Sequence, residues 1–240
     1  ENDFLIEKII ETYEKNRCVY GSPRITQALK RQSISCSQPR VARLMRANGI
    51  VAKTQRKFKA TTNSNHTLPV AADLVGQAFG VDGPNKLWVG DITYIDTDEG
   101  WLYLAKVMDA YNREVIGWAV DKRMTKDLVI KAMERAIRKR RPSQSPIFHS
   151  DRGSQYASYA FRRLLTENHI RQSMSGKGNC YDNAMAESFF KTLKTELIYQ
   201  NKYQKRQEAK QDIFEYIEVF YNRQRLHSAL GYKTPIEYGK

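Results

Sequence analysis

The order of apolar and polar positions divides the chain into a helical part, an irregular part and a mixed part. Up to Val51 the apolar residues recur at helical spacing, which predicts a first helix over Asp3–Glu14 and two shorter helices after it. Ser22 and Pro23 are predicted to cap and begin the second helix. Asn48-Gly49 is predicted to end the third helix.

The third predicted helix has an apolar side and a basic side. Val41, Leu44 and Met45 are expected to point inward. The outer side carries three arginines: Arg40, Arg43 and Arg46. Two short helices, the second of them basic, are typical of a helix-turn-helix whose second helix enters a major groove. A small helical bundle with a solvated basic face is the alternative.

Strand patterns dominate the mixed part. Three segments, Leu87–Tyr94, Trp101–Val107 and Val115–Val120, are separated by polar turns and predict an antiparallel meander. The pattern then predicts, in order, a helix, a strand, a helix, a strand and two long helices: 126–139, 146–149, 157–167, 170–174, a helix from near 182, and 205–222. This order predicts an α/β fold of the ribonuclease H type, with a mixed sheet flanked by helices and a helical tail.

Helical and strand periodicity both fail from Ala52 to about Pro84. The segment begins with Lys53, Arg56 and Lys57 and is then rich in Thr, Ser and Asn, which predicts a linker. Its basic start indicates contacts with phosphates, and a solvated tether is the alternative. The predicted domains are a helix-turn-helix-like domain at 1–51, this basic linker at 52–84, the ribonuclease H-like core at 85–200 and a C-terminal helical extension at 201–240.

The composition indicates a class of partner. The 40 Lys and Arg residues exceed the 26 Asp and Glu residues, for a net charge of +14. Such a surplus favours nucleic acid, because basic surfaces release counterions from phosphates. No stretch approaches the roughly 20 apolar residues of a membrane span, so no membrane partner is expected. Three scattered cysteines predict neither disulfides nor a zinc site, which favours a reducing cytoplasm. The start at Glu1 indicates a piece of a longer product.

Three acids occupy positions where the predicted fold gathers them. In this fold the end of the first strand faces the end of the fourth, and Asp91 and Asp151 hold these places. Glu187 lies on the helix that is expected to pack beside them. We expect Glu196, nine positions after Glu187, on the opposite side of that helix.

The segments around these acids resemble DDE transposases and retroviral integrases, and most of all bacterial insertion-sequence transposases of the insertion-sequence-three family. The matching segments are Trp88–Tyr94, His149–Tyr156, Gly178–Phe190, Tyr221–His227 with Pro235, and Tyr20–Ile25. The resemblance implies that Asp91, Asp151 and Glu187 are the catalytic acids. The zinc-binding module that is usual in retroviral integrases is missing, which favours the bacterial branch.

The implied chemistry requires a divalent metal. Moving a DNA phosphodiester needs a hard cation, and Mg²⁺ prefers carboxylate oxygens and water. The three acids are therefore expected to bind two Mg²⁺ ions, which Mn²⁺ can replace, about 4 Å apart. The resemblance implies that Asp91 bridges the ions, with Asp151 on one and Glu187 on the other.

Two lysines follow Glu187 at helical spacing. Lys191 and Lys194 are expected on its side of the helix, and the resemblance implies that they contact the transposon end. An ion pair between Glu187 and Lys191 is the alternative. The residues predicted to bind DNA are thus Lys191, Lys194, Arg40, Arg43, Arg46, Lys53, Arg56 and Lys57.

The resemblance implies a DNA transposase that cuts the 3′ ends of an insertion sequence and transfers the freed 3′-OH to another phosphodiester. Its expected partners are double-stranded DNA, as terminal inverted repeats and target, and at least a second copy of the chain. Its expected location is the bacterial cytoplasm, on the nucleoid when DNA is bound. A nuclease of the same fold that only hydrolyses nucleic acid, and a catalytically silent DNA-binding regulator, are the alternatives.

Overall fold

Three helices form the N-terminal part of the protein. The computed structural model describes residues 1–53, 68–76, 79–176 and 184–240, and within them helices α1, α2 and α3 span Asn2–Lys15, Ser22–Arg31 and Gln38–Ala47. Ser37 caps α3, since its side chain accepts a hydrogen bond from the backbone N–H of Arg40. Gly21 rather than Ser22 is the N-cap of α2, because Ser22 already lies within the first turn.

The apolar side of these helices is buried as predicted. Val41, Leu44 and Met45 of α3 pack into one core with Ile9 of α1 and Ile25 of α2. Asn48 forms the C-cap of α3, and Gly49 follows with a left-handed φ of +66°. A glycine adopts this conformation without the strain that a side chain would add, so the predicted helix end is confirmed.

A five-stranded mixed sheet forms the centre of the remaining chain. Its strands β1 to β5 span Leu87–Ile95, Leu102–Asp109, Val115–Asp121, Ile147–Ser150 and Arg171–Met174. They lie in the order β3-β2-β1-β4-β5. The first three strands pair antiparallel, which confirms the meander, and β4 joins β1 and β5 in parallel. This arrangement confirms the predicted ribonuclease H-like fold and places β1 at the centre of the sheet.

Helices cover both faces of the sheet. Helices α4, α5 and α6 span Lys126–Arg140, Ser154–Ala157 and Tyr159–Glu167 and share one core with one face of the sheet. The single helix predicted over 157–167 is thus two helices. They divide at Ser158, which adopts an extended conformation and whose hydroxyl accepts a hydrogen bond from the N–H of Phe161.

The other face packs against the C-terminal helices. Helices α7, α8 and α9 span Ala184–Glu196, Arg206–Phe214 and Pro235–Tyr238. The second long helix was predicted as one regular helix, but its end, Glu215–Tyr221, is a π-helix with Tyr216, Ile217, Phe220 and Tyr221 buried. In this wider helical turn, neighbours in sequence are buried together, Tyr216 with Ile217 and Phe220 with Tyr221. Among the described helices, none is both long and apolar enough to cross a membrane.

A buried ion pair joins α7 to the C-terminal tail. The Arg225 guanidinium donates hydrogen bonds of 2.7 Å and 2.9 Å to the Glu196 carboxylate. The Tyr216 hydroxyl donates a third of 2.7 Å, and the Arg24 guanidinium of α2 lies 3.7 Å away. Glu196 is 7% exposed and thus lies on the protein-facing side of α7, away from the exposed Glu187, as expected.

Replacing Arg225 by leucine is expected to lower the free energy of unfolding by about 3–5 kcal/mol, because Glu196 then keeps a buried charge without its principal cation. Chemical denaturation measures this change. Arg223→Leu is the matched control, since Arg223 lies in the same tail and is exposed. Equal losses in the two variants would mean that the ion pair has no special role.

Candidate active site

Asp91 and Asp151 come together because β1 and β4 are parallel neighbours. The last registered pair of these strands is Val89 with His149, so Asp91 and Asp151 each lie two residues beyond it on the same side of the sheet. Both are half-buried. The Asp91 Oδ1 accepts a 2.8 Å hydrogen bond from the Ile92 N–H, and the Asp151 Oδ1 accepts one of 2.9 Å from the Gly153 N–H.

Glu187 is brought to this site by α7. Phe189, Phe190 and Leu193 are buried and hold α7 against the sheet, where it packs on β1. Glu187 lies in the first turn of α7 and is exposed. Asp182, which precedes it, lies outside the described residues. Glu187 itself is exposed, unlike Phe189, Phe190 and Leu193, so its carboxylate is open to solvent or a ligand.

The three acids influence one another through their charges. Burial and then the charge of Asp151 raise the pKa of Asp91 to about 7, and the charge of Glu187 also raises it. Partial burial raises the pKa of Glu187. Among the described residues, no three His, Cys, Asp or Glu side chains are grouped closely enough to enclose a metal ion. The acids therefore share one electrostatic site without forming a closed set of ligands.

A buried lysine beside Asp91, Lys106, was not predicted from the sequence. Lys106 lies directly opposite Asp91 in the β1–β2 register and is 0% exposed. Its ammonium has no hydrogen-bond partner among the described residues and lies 5.5 Å from the ring centroids of Phe189 and Phe190. Burial lowers the pKa of Lys106 to about 7, while the charge of Asp91 opposes this effect. The signal in the sequence is that Lys106 is the single charged residue between Leu102 and Met108.

Tyr156 packs behind the two aspartates. Its hydroxyl is buried and has no hydrogen-bond partner among the described residues. Burial, and then the charges of Asp91 and Asp151, raise the pKa of Tyr156. Gly90 makes this packing possible, because a Cβ there would lie 2.3 Å from the Phe148 ring and 3.4 Å from the Tyr156 hydroxyl. A side chain at position 90 would thus displace the wall of the site.

The two lysines of α7 differ in their surroundings. Lys191 is exposed, as predicted. Lys194 is 4% exposed, and its ammonium lies 4.7 Å from the centroid of the Tyr94 ring. Burial lowers the pKa of Lys194 to about 8, and the charge of Asp91 opposes this effect. Lys194 thus differs from Lys191, because α7 packs its last turns against the end of β1, and its role as a DNA contact stays a prediction.

The basic residues of the N-terminal part that are predicted to bind DNA also differ in their exposure to solvent. Arg43 and Arg46 are exposed on α3. Arg40 is partly covered, because its guanidinium donates 2.7 Å hydrogen bonds to Glu1 and Asn2. Lys53 is half-buried at the end of a described segment. Arg56 and Lys57 lie outside the described residues.

Three known protein families match successive parts of the chain. An HTH-like domain family matches residues 1–58. An integrase core domain family matches residues 81–180, and a second integrase core domain family matches residues 187–240. The first integrase match includes Asp91 and Asp151, and the second begins at Glu187.

Curated relatives match almost the whole chain. The 31 kDa uncharacterized protein of insertion element IS600 from Shigella sonnei is 48% identical over 92% of this chain and 81% of its own. Transposase InsF of insertion sequence IS3A from Escherichia coli is 42% identical over 96% of this chain and 80% of its own. The transposase of IS904 from Lactococcus lactis is 42% identical over 100% of this chain and 95% of its own.

Solved structures share the fold at low sequence identity. The simian T-cell lymphotropic virus intasome matches with a TM-score of 0.54 at 19% identity, over 89% of this chain and 70% of that one. The catalytic core of HTLV-2 integrase, solved with magnesium, matches with a TM-score of 0.50 at 19% identity, over 66% of this chain and 99% of that one. These matches show the fold, and the curated relatives with the integrase core match show that the chain belongs to the insertion-sequence transposases of the IS3 type, polynucleotidyl transferases of DNA transposition.

Proposed function

We propose that the protein cuts the 3′ ends of an insertion sequence in double-stranded DNA and transfers the freed 3′-OH to target DNA, with divalent metal bound by Asp91, Asp151 and Glu187. The observation that carries this proposal is the effect of both other acids on Asp91, whose pKa is raised to about 7 by burial and by their charges. Like charges held this close in a partly buried site are unfavourable until a cation neutralises them.

The residues suit a hard divalent cation. Carboxylate oxygens are the protein ligands that Mg²⁺ and Mn²⁺ prefer, and Asp91 and Asp151 present theirs side by side from parallel strands. Glu187 is exposed in the first turn of α7, near enough for its charge to raise the pKa of Asp91. Two such ions would supply Lewis-acid activation of the attacking oxygen and stabilisation of the leaving oxygen.

The proposed reaction exchanges phosphorus–oxygen bonds in two steps. In the first, water attacks the phosphorus at the element's end, the bond to the 3′ oxygen breaks, and this oxygen leaves as a 3′-OH. In the second, that 3′-OH attacks a phosphorus of the target and displaces the target's own 3′ oxygen. The first step is a hydrolysis and is favourable by itself, and the second exchanges one phosphodiester for another of similar energy, so ATP is not required.

The basic residues would hold the DNA around this site. Arg43 and Arg46 present exposed guanidinium groups on α3, the second helix of the proposed helix-turn-helix, and exposed Lys191 lies one turn after Glu187 on α7. Cations at these positions would contact phosphates on both sides of the cut. Arg40, Lys53, Arg56, Lys57 and Lys194 remain predicted contacts. The HTH-like family match at residues 1–58 supports DNA binding by the N-terminal part.

The proposal includes assembly on bacterial DNA. Two ends of one element must be joined to one target, which requires at least two copies of the chain, in the cytoplasm and on the nucleoid. Each chain would contribute one set of the three acids. A nuclease that only hydrolyses, and a regulator without activity, are the outcomes that would replace this function.

The variants Asp151→Asn and Glu187→Gln are expected to lose DNA cleavage and joining by more than roughly 100-fold, since even groups behind metal ligands contribute that much. The measurement is a labelled terminal duplex with Mg²⁺, with cut and joined products separated by size. Asp127→Asn is the matched control, because Asp127 is an exposed acid at the start of α4. Cutting without joining by the wild type would indicate a nuclease, and full activity in Asp151→Asn would overturn the assignment of the acids.

Without metal, Asp91→Asn is expected to stabilise the protein relative to wild type, and by about 2 kcal/mol more at pH 8 than at pH 5. The pKa of Asp91 is raised in the folded protein from an ordinary value of 3.8 to about 7. The cost of its charge is therefore absent below pH 3.8, grows as the pH rises, and is complete above pH 7.

Denaturation in EDTA at the two pH values measures this difference. Added Mg²⁺ should then raise the unfolding temperature of the wild type more at pH 8 than at pH 5, and should have little effect on Asp91→Asn. Asp127→Asn should respond to Mg²⁺ as the wild type does. A stability difference between Asp91→Asn and wild type that does not change with pH would contradict the charge crowding on which the metal site rests.

A further inference from the structure

An open cleft lined by aromatic residues lies beside the acidic site. It has a volume of about 430 Å³, which is in the range of sites for small ligands. Its walls are the end of β1, the turn between β1 and β2, and the chain that follows α7. We call this surface the aromatic cleft, and its lining includes Tyr94, Asp96, Trp101, Lys194, Tyr199 and Lys202. Lys194 lines the cleft and feels the charge of Asp91, so the cleft lies close to the acids.

The aromatic rings of the cleft are exposed and fixed. Trp101 is 47% exposed and Tyr199 is 40% exposed. The Tyr94 and Trp101 rings meet edge to face with centroids 4.8 Å apart. The Arg206 side chain donates a 3.1 Å hydrogen bond to the Trp101 carbonyl and so holds the turn in place. Large exposed aromatic surfaces that are held in one geometry are typical of binding sites, since their rings then stack on a partner without further ordering.

The charges in the cleft suit a nucleotide. The Lys194 ammonium lies over the Tyr94 ring on the side of the acids, and Lys202 is 88% exposed at the rim. Cations near stacked aromatic rings match the phosphates and the base faces of a single strand. Asp96 is exposed beside them and can accept hydrogen bonds from the amino groups of a base.

We propose that the aromatic cleft binds an unpaired nucleobase of the DNA strand that is cut at the acids. Bases within a duplex have both faces covered by their neighbours, so only a base that has left the stack can place a face on Trp101 or Tyr199. The cleft would then hold the end of the element open beside the scissile phosphate. This inference rests on the proposed function, since that function is what brings a DNA strand to the acids.

The test measures binding of the full chain in EDTA, so that no chemistry takes place. Fluorescence anisotropy compares three duplexes of one sequence: with a short unpaired thymidine 3′ end, with the same end made of abasic sites, and blunt. The wild type is expected to bind the thymidine end roughly tenfold more tightly than the abasic end, because stacking is lost when the bases are removed. The two ends carry the same phosphates, so the comparison isolates the base.

Trp101→Ala is expected to reduce this preference to below about twofold, while binding of the blunt duplex changes little. Tyr159→Ala is the matched control, because Tyr159 is 70% exposed on α6 and outside the cleft. A second readout is the emission of 2-aminopurine placed in the unpaired end, which stacking in the cleft should quench with the wild type and not with Trp101→Ala.

Equal binding of the thymidine and abasic ends by the wild type would overturn the inference. So would equal losses in Trp101→Ala and Tyr159→Ala. A base preference that depends on Trp101 in a protein that never joins DNA would support the cleft and contradict the proposed function. A protein that joins DNA but shows no base preference would support the proposed function and overturn the inference about the cleft.

Discussion

The buried ion pair between Glu196 and Arg225 is the contact on which the arrangement of this protein depends. Glu196 ends α7, Arg225 lies in the C-terminal tail, and Arg24 of the N-terminal helices lies 3.7 Å from the same carboxylate. Nearby, the Tyr20 hydroxyl accepts a 2.7 Å hydrogen bond from the Leu226 N–H. Since α7 also carries Glu187, one charged contact connects the proposed DNA-binding helices, the tail and the helix that completes the acidic site.

Acidic and basic side chains lie next to one another at the site. The protein carries a net charge of +14, yet Asp91 on β1 and Asp151 just after β4 lie on neighbouring strands, and the charge of Glu187 also acts on Asp91. Two nearly buried cations lie beside them, Lys106 on β2 opposite Asp91 and Lys194 on α7. Their charges lower the cost of ionising Asp91, whereas the other two acids increase it. A metal ion arriving at the acids would therefore enter a site whose negative charge is already partly balanced from the protein side.

Much of the fold could be predicted because its signals are local. Alternation of apolar residues specified the meander, and the order of strands and helices then placed Asp91 and Asp151 on neighbouring strands. The buried Phe190, Leu193 and Leu197 recur at helical spacing along α7, which is a local signal. Lys194 is also buried because it lies beside the Tyr94 ring of β1, and spacing along one helix does not tell which neighbouring element covers a side chain. The buried position of Lys106 depends on Phe189 and Phe190, far along the chain, and no local pattern contains that contact.

The proposed function requires that the three acids together bind the divalent ions that act on DNA. Electron paramagnetic resonance of Mn²⁺, titrated into the complex of the full chain with a terminal duplex, counts bound ions directly. We expect about two ions per acidic site, with a spectrum that shows magnetic coupling between neighbouring ions, as a two-metal site requires. Binding no greater than that of the duplex alone would contradict it.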